Sequence, residues 1–132
     1  MSALSISAYG LAAAGLRLQV SASNVANVSD TGRLPNANAS STAGFPSASR
    51  VDQVAVSGGG TTATVTPASP SFVTRFDPGA PAADKNGLVA APNVDLANEI
   101  VQQITASQAF AANAKAIQAG SNTIRSLLDI KI

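Results

Sequence analysis

The chain has no cysteine, no histidine and no tryptophan, and each absence removes a class of chemistry. Without cysteine there is neither a thiolate nucleophile nor a disulfide framework. Without histidine the usual general base and the commonest zinc ligand are missing. Large aromatic surface is scarce as well, with four Phe and one Tyr in 132 residues, so Ala carries much of the 45% apolar fraction. Cores made this way are thin and suit helix-on-helix packing between chains better than a self-contained interior. Charge is sparse too: 11% of residues are charged, the net charge is +1, and the eight Lys and Arg stand singly, which excludes a basic patch for nucleic acid. The first sixteen residues are uncharged but have neither the positive start nor the Leu-rich run of a cleaved signal. Ser5, Ser7, Gly10 and Gly15, followed by Arg17 and Gln19, also argue against membrane insertion. If the protein leaves the cytoplasm, another route must carry it.

What is present divides the chain into three segments. Residues 1–29 contain no proline and place Leu4, Ala8, Leu11, Gly15, Leu18, Ala22 and Val25 at alternating steps of four and three. That is the repeat of a coiled-coil seam, and it predicts one helix of roughly 40 Å at 1.5 Å per residue. The helix should end where Asn, Ser, Asp and Gly collect between Asn27 and Gly32, with Asn24 and Asn27 capping it. Residues 30–92 hold all seven prolines and seven of the ten glycines, so an irregular middle segment is expected, with a flexible arm over 33–49. Within it, Val51–Val56 and Thr61–Thr66 flank Gly58, Gly59 and Gly60 and read as a β-hairpin, to which Phe72–Phe76 could add a third strand. Residues 93–132 lack proline and repeat Leu96, Ile100, Gln103, Ser107, Phe110, Ala114, Ile117, Ser121, Ile124 and Leu128 by the same steps, predicting a second helix of roughly 55 Å. Asn93 or Asp95 offers its N-cap, Glu99 an acid for the first turn, and Arg125 and Lys131 cations for the far end. The fold class is therefore read as mainly α: two long terminal helices forming a coiled-coil-like pair, with an irregular middle containing a small β-hairpin.

Candidate chemistry is thin. The three glycines lack the Lys-Ser/Thr and the strand-then-helix setting of a phosphate loop, so a turn explains them. Asp77 and Asp84 fall in turn sequences, Asp95 and Glu99 at a helix start, and no base stands beside a nucleophile in a recognised spacing. The expectation is a non-enzymatic protein with no catalytic residue, no cofactor and no metal. The informative residues are the seam positions Leu4, Leu11, Leu18, Val25, Leu96, Ile100, Phe110, Ile117, Ile124 and Leu128, read as a subunit interface. The first helix carries a single charge, Arg17, so its other faces are built from small residues and not from the Lys and Glu of a solvated helix. The alternative is a two-helix hairpin closing on itself within a monomer, poorly stabilised for want of large side chains.

Ser21-Ala22-Ser23-Asn24-Val25-Ala26-Asn27 resembles the signature that closes the N-terminal helix of flagellar rod, hook and hook-associated proteins. Asn93-Val94-Asp95-Leu96, Glu99, Gln108-Ala109-Phe110-Ala111-Ala112-Asn113 and the ending Leu127-Leu128-Asp129-Ile130 are similar to the C-terminal domain those axial proteins share. The run Phe76-Asp77-Pro78-Gly79-Ala80-Pro81 with Gly87 and Val89 resembles the proximal-rod branch of that family. The family usually has Arg at Gln108, Tyr at Phe110, and an aromatic-plus-basic pair at Arg33-Leu34. The resemblance marks Asn24, Asn27, Asn93, Asp95 and Asn113 as motif residues. It implies a structural subunit of the bacterial flagellar basal-body rod, in the periplasmic space, exported uncleaved by the flagellar type III apparatus for cell motility. Its partners would be copies of itself and other rod and hook axial proteins, the terminal helices forming an inner tube and the middle segment making outer contacts. The alternatives are another axial or export-associated helical protein, or a secreted coiled-coil interaction protein.

Overall fold

In a computed structural model, which describes residues 2–35 and 47–130, two helices enclose four strands in chain order. Helix α1 runs over Ala3–Ala26 and helix α2 over Leu96–Leu128. Between them lie β1 (Ser49–Ala55), β2 (Thr61–Pro67), β3 (Phe72–Phe76) and β4 (Leu88–Pro92). The helix ends follow capping chemistry. The Ser2 hydroxyl accepts from the Ser5 amide at 3.3 Å, and the Asp95 carboxylate accepts from the Ala97 and Asn98 amides at 3.0 and 3.2 Å. Glu99 follows in the first turn of α2 and Arg125 sits in its last, the polarity a helix dipole favours. Lys131 and residues 36–46 of the expected arm lie outside the described residues.

Strands β1 and β2 form an antiparallel hairpin with Val51 opposite Val65 and Ala55 opposite Thr61. Its turn is closed by the Val56 amide donating to the Gly60 carbonyl at 3.1 Å. Gly58, Gly59 and Gly60 have φ of 93°, 98° and 96°, a conformation that L side chains resist, which accounts for three glycines in a row. The tip rests on α1: a Cβ on Gly59 would meet Ile6 at 3.0 Å and one on Gly60 would meet Tyr9 at 3.1 Å. At the other end of the hairpin, Ser49 is bonded to Asn24. The hairpin thus lies along the length of α1, which supplies the apolar support that an isolated two-stranded hairpin lacks in water.

A second antiparallel pair joins β3 to β4, with Phe72 opposite Pro92 and Phe76 opposite Leu88. The connection is stitched by Asp84, whose carboxylate accepts from the Asn86 and Leu88 amides, each at 2.8 Å. On its other edge β4 is bridged by Gly32, which exchanges both backbone hydrogen bonds with Ala90 at 2.9 Å. Strand β4 is therefore flanked on both sides, and Val89, Ala90 and Ala91 are buried.

Two expectations are corrected. The fold is not mainly α with an irregular middle: it is a mixed α and β arrangement of two helices and two small antiparallel sheets. Phe72–Phe76 does form a strand, but it pairs with β4 and not with the hairpin. Strand β4 escapes a sequence reading because Leu88-Val89-Ala90-Ala91-Pro92 is nearly all apolar. A strand covered on both faces has no alternation, and a proline at its end reads as a breaker.

The core is thin, as the composition requires. Among the described residues the buried apolar side chains are Val89, Pro92 and six alanines: Ala13, Ala14, Ala48, Ala90, Ala91 and Ala106.

Candidate assembly interface

The two helices are antiparallel, and three glycines fix their register. A Cβ on Gly120 would meet Leu4 at 3.1 Å, one on Gly10 would meet the Asn113 amide at 2.6 Å, and one on Gly15 would meet Phe110 at 3.9 Å. Further along, the Ser21 hydroxyl donates to the Glu99 carbonyl at 3.0 Å. A larger side chain on one helix thus repeatedly sits over a glycine of the other, which lets backbones approach closely without large apolar volume. On α2 the positions set against α1 are Glu99, Phe110, Asn113 and Gly120; the half-buried Gln103 and Ile117 and the fully buried Ala106 fall between them at steps of four and three.

At the opposite end of the pair, Asn24 joins three elements. Its side-chain amide donates to the Ser49 carbonyl and to the Glu99 carboxylate, both at 2.7 Å, while its oxygen accepts from the Ser49 amide at 3.0 Å. Asn24 is buried and its hydrogen-bonding capacity is met by α1's two neighbours, β1 and α2. The expectation that Asn24 caps the helix end is corrected on this point: Asn27 holds the C-cap position, and Asn24 is a crosslink.

The other motif residues also serve local structure. The Asn93 side chain donates to the Pro70 carbonyl at 3.0 Å, Asp95 is the N-cap of α2, and the Asn113 amide donates to the Ala109 carbonyl at 2.8 Å while facing Gly10.

Of the seam residues, Leu4, Leu11, Leu18, Val25 and Ile117 are half-buried within the chain, whereas Leu96, Ile100, Phe110, Ile124 and Leu128 are exposed. The helix pair therefore uses only part of the apolar surface that the heptad steps mark out. The sequence placed Ser21 and Glu99 in family motifs, and Glu99 also in the first turn of the helix, but did not show that they meet each other's helix; Ser49, Gly10 and Gly120 were missed as contact positions. Three helical glycines, Gly10, Gly15 and Gly120, in a chain otherwise rich in Ala were the available signal.

The exposed remainder has a definite location. Leu4 faces Gly120, so α1 ends there and the last residues of α2 project past it. Residues 121–130 are all exposed, with Leu127 at 64%, Leu128 at 81% and Ile130 at 65%. A second exposed cluster, Leu96, Ile100, Val101 and Ile104, lies at the start of α2. No helix among the described residues is long and apolar enough to cross a membrane, so these faces do not make a spanning segment. Apolar helix surface left open on this scale fits association with other chains.

Comparison with known proteins shows the family. Residues 85–130, which span β4 and α2, match the family model of the flagellar basal body rod FlgEFG protein C-terminal region. The chain is 32% identical over 131 residues to the flagellar basal-body rod protein FlgC of Agrobacterium fabrum, covering 95% of this chain and 90% of that protein. It is 36% identical over 130 residues to FlgC of Yersinia enterocolitica, covering 93% and 88%, and 31% identical over 146 residues to FlgC of Borreliella burgdorferi, covering 98% and 95%.

Proposed function

The chain belongs to the FlgC family of flagellar basal-body rod proteins, and from that premise we propose how this structural subunit of the rod makes its contacts. It resides in the basal-body rod and assembles there with other rod components. The finer reading is that the α1 and α2 pair is the axial unit. Its internal contact sets the shape of the pair, and the exposed positions Leu96, Ile100, Phe110, Ile124 and Leu128 bind neighbouring chains, including further copies. The half-buried Leu4, Leu11, Leu18, Val25 and Ile117 hold the pair in the form those neighbours meet. The observation that carries this reading is the amount of aliphatic surface that α2 leaves uncovered at both of its ends.

The same reading assigns residues 1–29 and 93–132 to the axis and residues 30–92 to outer contacts. Strands β1 and β2 are seated along α1. The role is structural and non-enzymatic, in keeping with a chain that has no Cys or His. Delivery is by the flagellar type III apparatus, a reading supported by family membership alone.

The test is in flagellated cells whose own gene is replaced by this one. A tag at Ser57, in the exposed hairpin turn, should be recovered with isolated basal bodies and should decorate the rod in images. Recovery of secreted protein that never joins the basal body would overturn the reading.

A further inference from the structure

Helix α1 carries a second apolar row besides the one that meets α2. Ile6, Tyr9, Ala13, Leu16 and Val20 follow one another at steps of three and four, with Asn24 one turn further on. The whole row is set against the β1–β2 hairpin. Ile6 and Tyr9 lie against Gly59 and Gly60, Ala13 and Leu16 share a cavity with Thr61 and Ala63, Val20 shares one with Ser49 and Val51, and Asn24 is bonded to Ser49. We propose that the hairpin is a displaceable cover on this row, an autoinhibitory contact that keeps α1 from packing there until a helix of a neighbouring rod subunit takes the hairpin's place. Resting on the rod reading, this adds to it a control over when that face of α1 becomes available.

The row is patterned for a helix and not for the ribbon that covers it. Steps of three and four present knobs to the holes of another helix, whereas a β-hairpin offers side chains at a period of two. The fit is correspondingly loose. Against Ile6, Tyr9, Ala13 and Leu16 the hairpin sets Gly59, Gly60, Thr61, Thr62 and Ala63, none of them large and apolar, and a cavity of about 320 Å³ is left between the two surfaces. Ile6 and Tyr9 stay partly exposed beneath the tip, and the hairpin's own Val54 and Val65 are exposed as well.

The attachment is one-ended. At the base, Asn24 holds both backbone groups of Ser49 while bonded to Glu99, and the Ala68 amide donates to the Ala48 carbonyl at 2.8 Å. Beyond Ser49, among the described residues, no hydrogen bond or ion pair joins the hairpin to α1. The base is therefore a hinge, and the tip is held by apolar contact alone. Lifting it breaks no hydrogen bond to α1, the condition for a local opening that leaves the helix pair intact.

The chain has no cysteine, so introduced thiols report on the cover. Ala13 and Ala14 are adjacent and 2% and 3% exposed, but Ala13 lies under the hairpin, whereas Ala14 lies one turn from Gly10 on the side that faces α2. In osmolyte-stabilised protein the thiol of Ala13→Cys should react with a maleimide about tenfold faster or more than that of Ala14→Cys, because the tip lifts without opening the helix pair. Should Ala14→Cys lose helix by circular dichroism, Ala106→Cys, fully buried in the helix pair, is the reference. Equal rates, or a slower reaction at position 13, would make the hairpin a fixed brace and overturn the proposal. Assembly is read with a lock. An ideal Cβ on Gly60 stands 3.4 Å from the Tyr9 Cβ, close to the roughly 3.8 Å of a disulfide, so Tyr9→Cys combined with Gly60→Cys pins the tip in an oxidising periplasm. With thiols blocked before lysis, secreted chains that have not joined a basal body should carry the 9–60 link and chains within the basal body should not, while either single variant, which cannot lock, should enter it. Linked chains inside the basal body overturn the cover and leave rod membership standing. Unlinked secreted chains outside it do the same, since the tip would then not sit on Tyr9. Absence of the unsubstituted chain from the basal body overturns the rod reading itself.

Discussion

Gly10 and Asn113 set how closely the two helices approach. The Asn113 side chain is held by its bond to the Ala109 carbonyl, and its amide already occupies the space where a Cβ on Gly10 would stand. Helix propensity alone favours Ala over Gly in a helix interior by about 1 kcal/mol. The structure predicts the opposite sign here: Gly10→Ala should lower the denaturation midpoint of osmolyte-stabilised protein followed by circular dichroism. Asn113→Ala in the same chain should restore it, because the obstructing amide is gone. A stabilising Gly10→Ala would mean the helices do not meet at this point. Asn24 acts at the same scale, and its motif was visible in the sequence while its role was not. Asparagine near a helix end reads as a cap from local spacing, and only the positions of Ser49 and Glu99, distant in sequence, turn it into a crosslink.

The helices themselves were legible as elements because their signal is local: proline-free stretches, apolar steps of four and three, and acceptors at the N-caps. What the repeat could not show is which partner each face meets. The row read from the sequence on α2 passes through Leu96, Ile100 and Leu128, which the chain leaves exposed, whereas the row facing α1 runs through Ala106, Asn113 and Gly120. Small residues carry the internal contact, and large ones are left for the outside. Leu18 lies on the row that begins with Leu4, and Ile117 on the row that faces α1. A charge at either half-buried site must be desolvated without a partner, at a cost on the order of 2 kcal/mol. Leu18→Asp and Ile117→Asp protein should therefore be secreted but missing from basal bodies, leaving cells non-motile in a swimming assay, whereas Ser57→Asp in the exposed hairpin turn should swim normally. Full motility of both seam variants would remove these rows from the assembly.

At the scale of the molecule, the six alanines, Val89 and Pro92 buried among the described residues are a small set against the conformational entropy of ordering the chain. Much of the surface that would stabilise the helices is apolar and uncovered until neighbours arrive. Dilute monomer should accordingly show less helix by circular dichroism than the 24 and 33 residues of α1 and α2, with helicity rising on concentration or assembly. A fully helical monomer that melts cooperatively at low concentration would show that the chain needs no partner to fold. The sequence by itself determined the two terminal helices, the caps at Asn27 and Asp95, the glycine-turned hairpin and the family, since all of these depend on residues near one another in the chain. The tertiary structure decided what depends on distant residues. It pairs β3 with β4, seats the hairpin on α1, joins Asn24 to Ser49 and Glu99, and leaves the last turns of α2 beyond the reach of α1. That overhang comes from a difference in length between two helices in a fixed register, and the register was set by where three glycines allow larger side chains to settle.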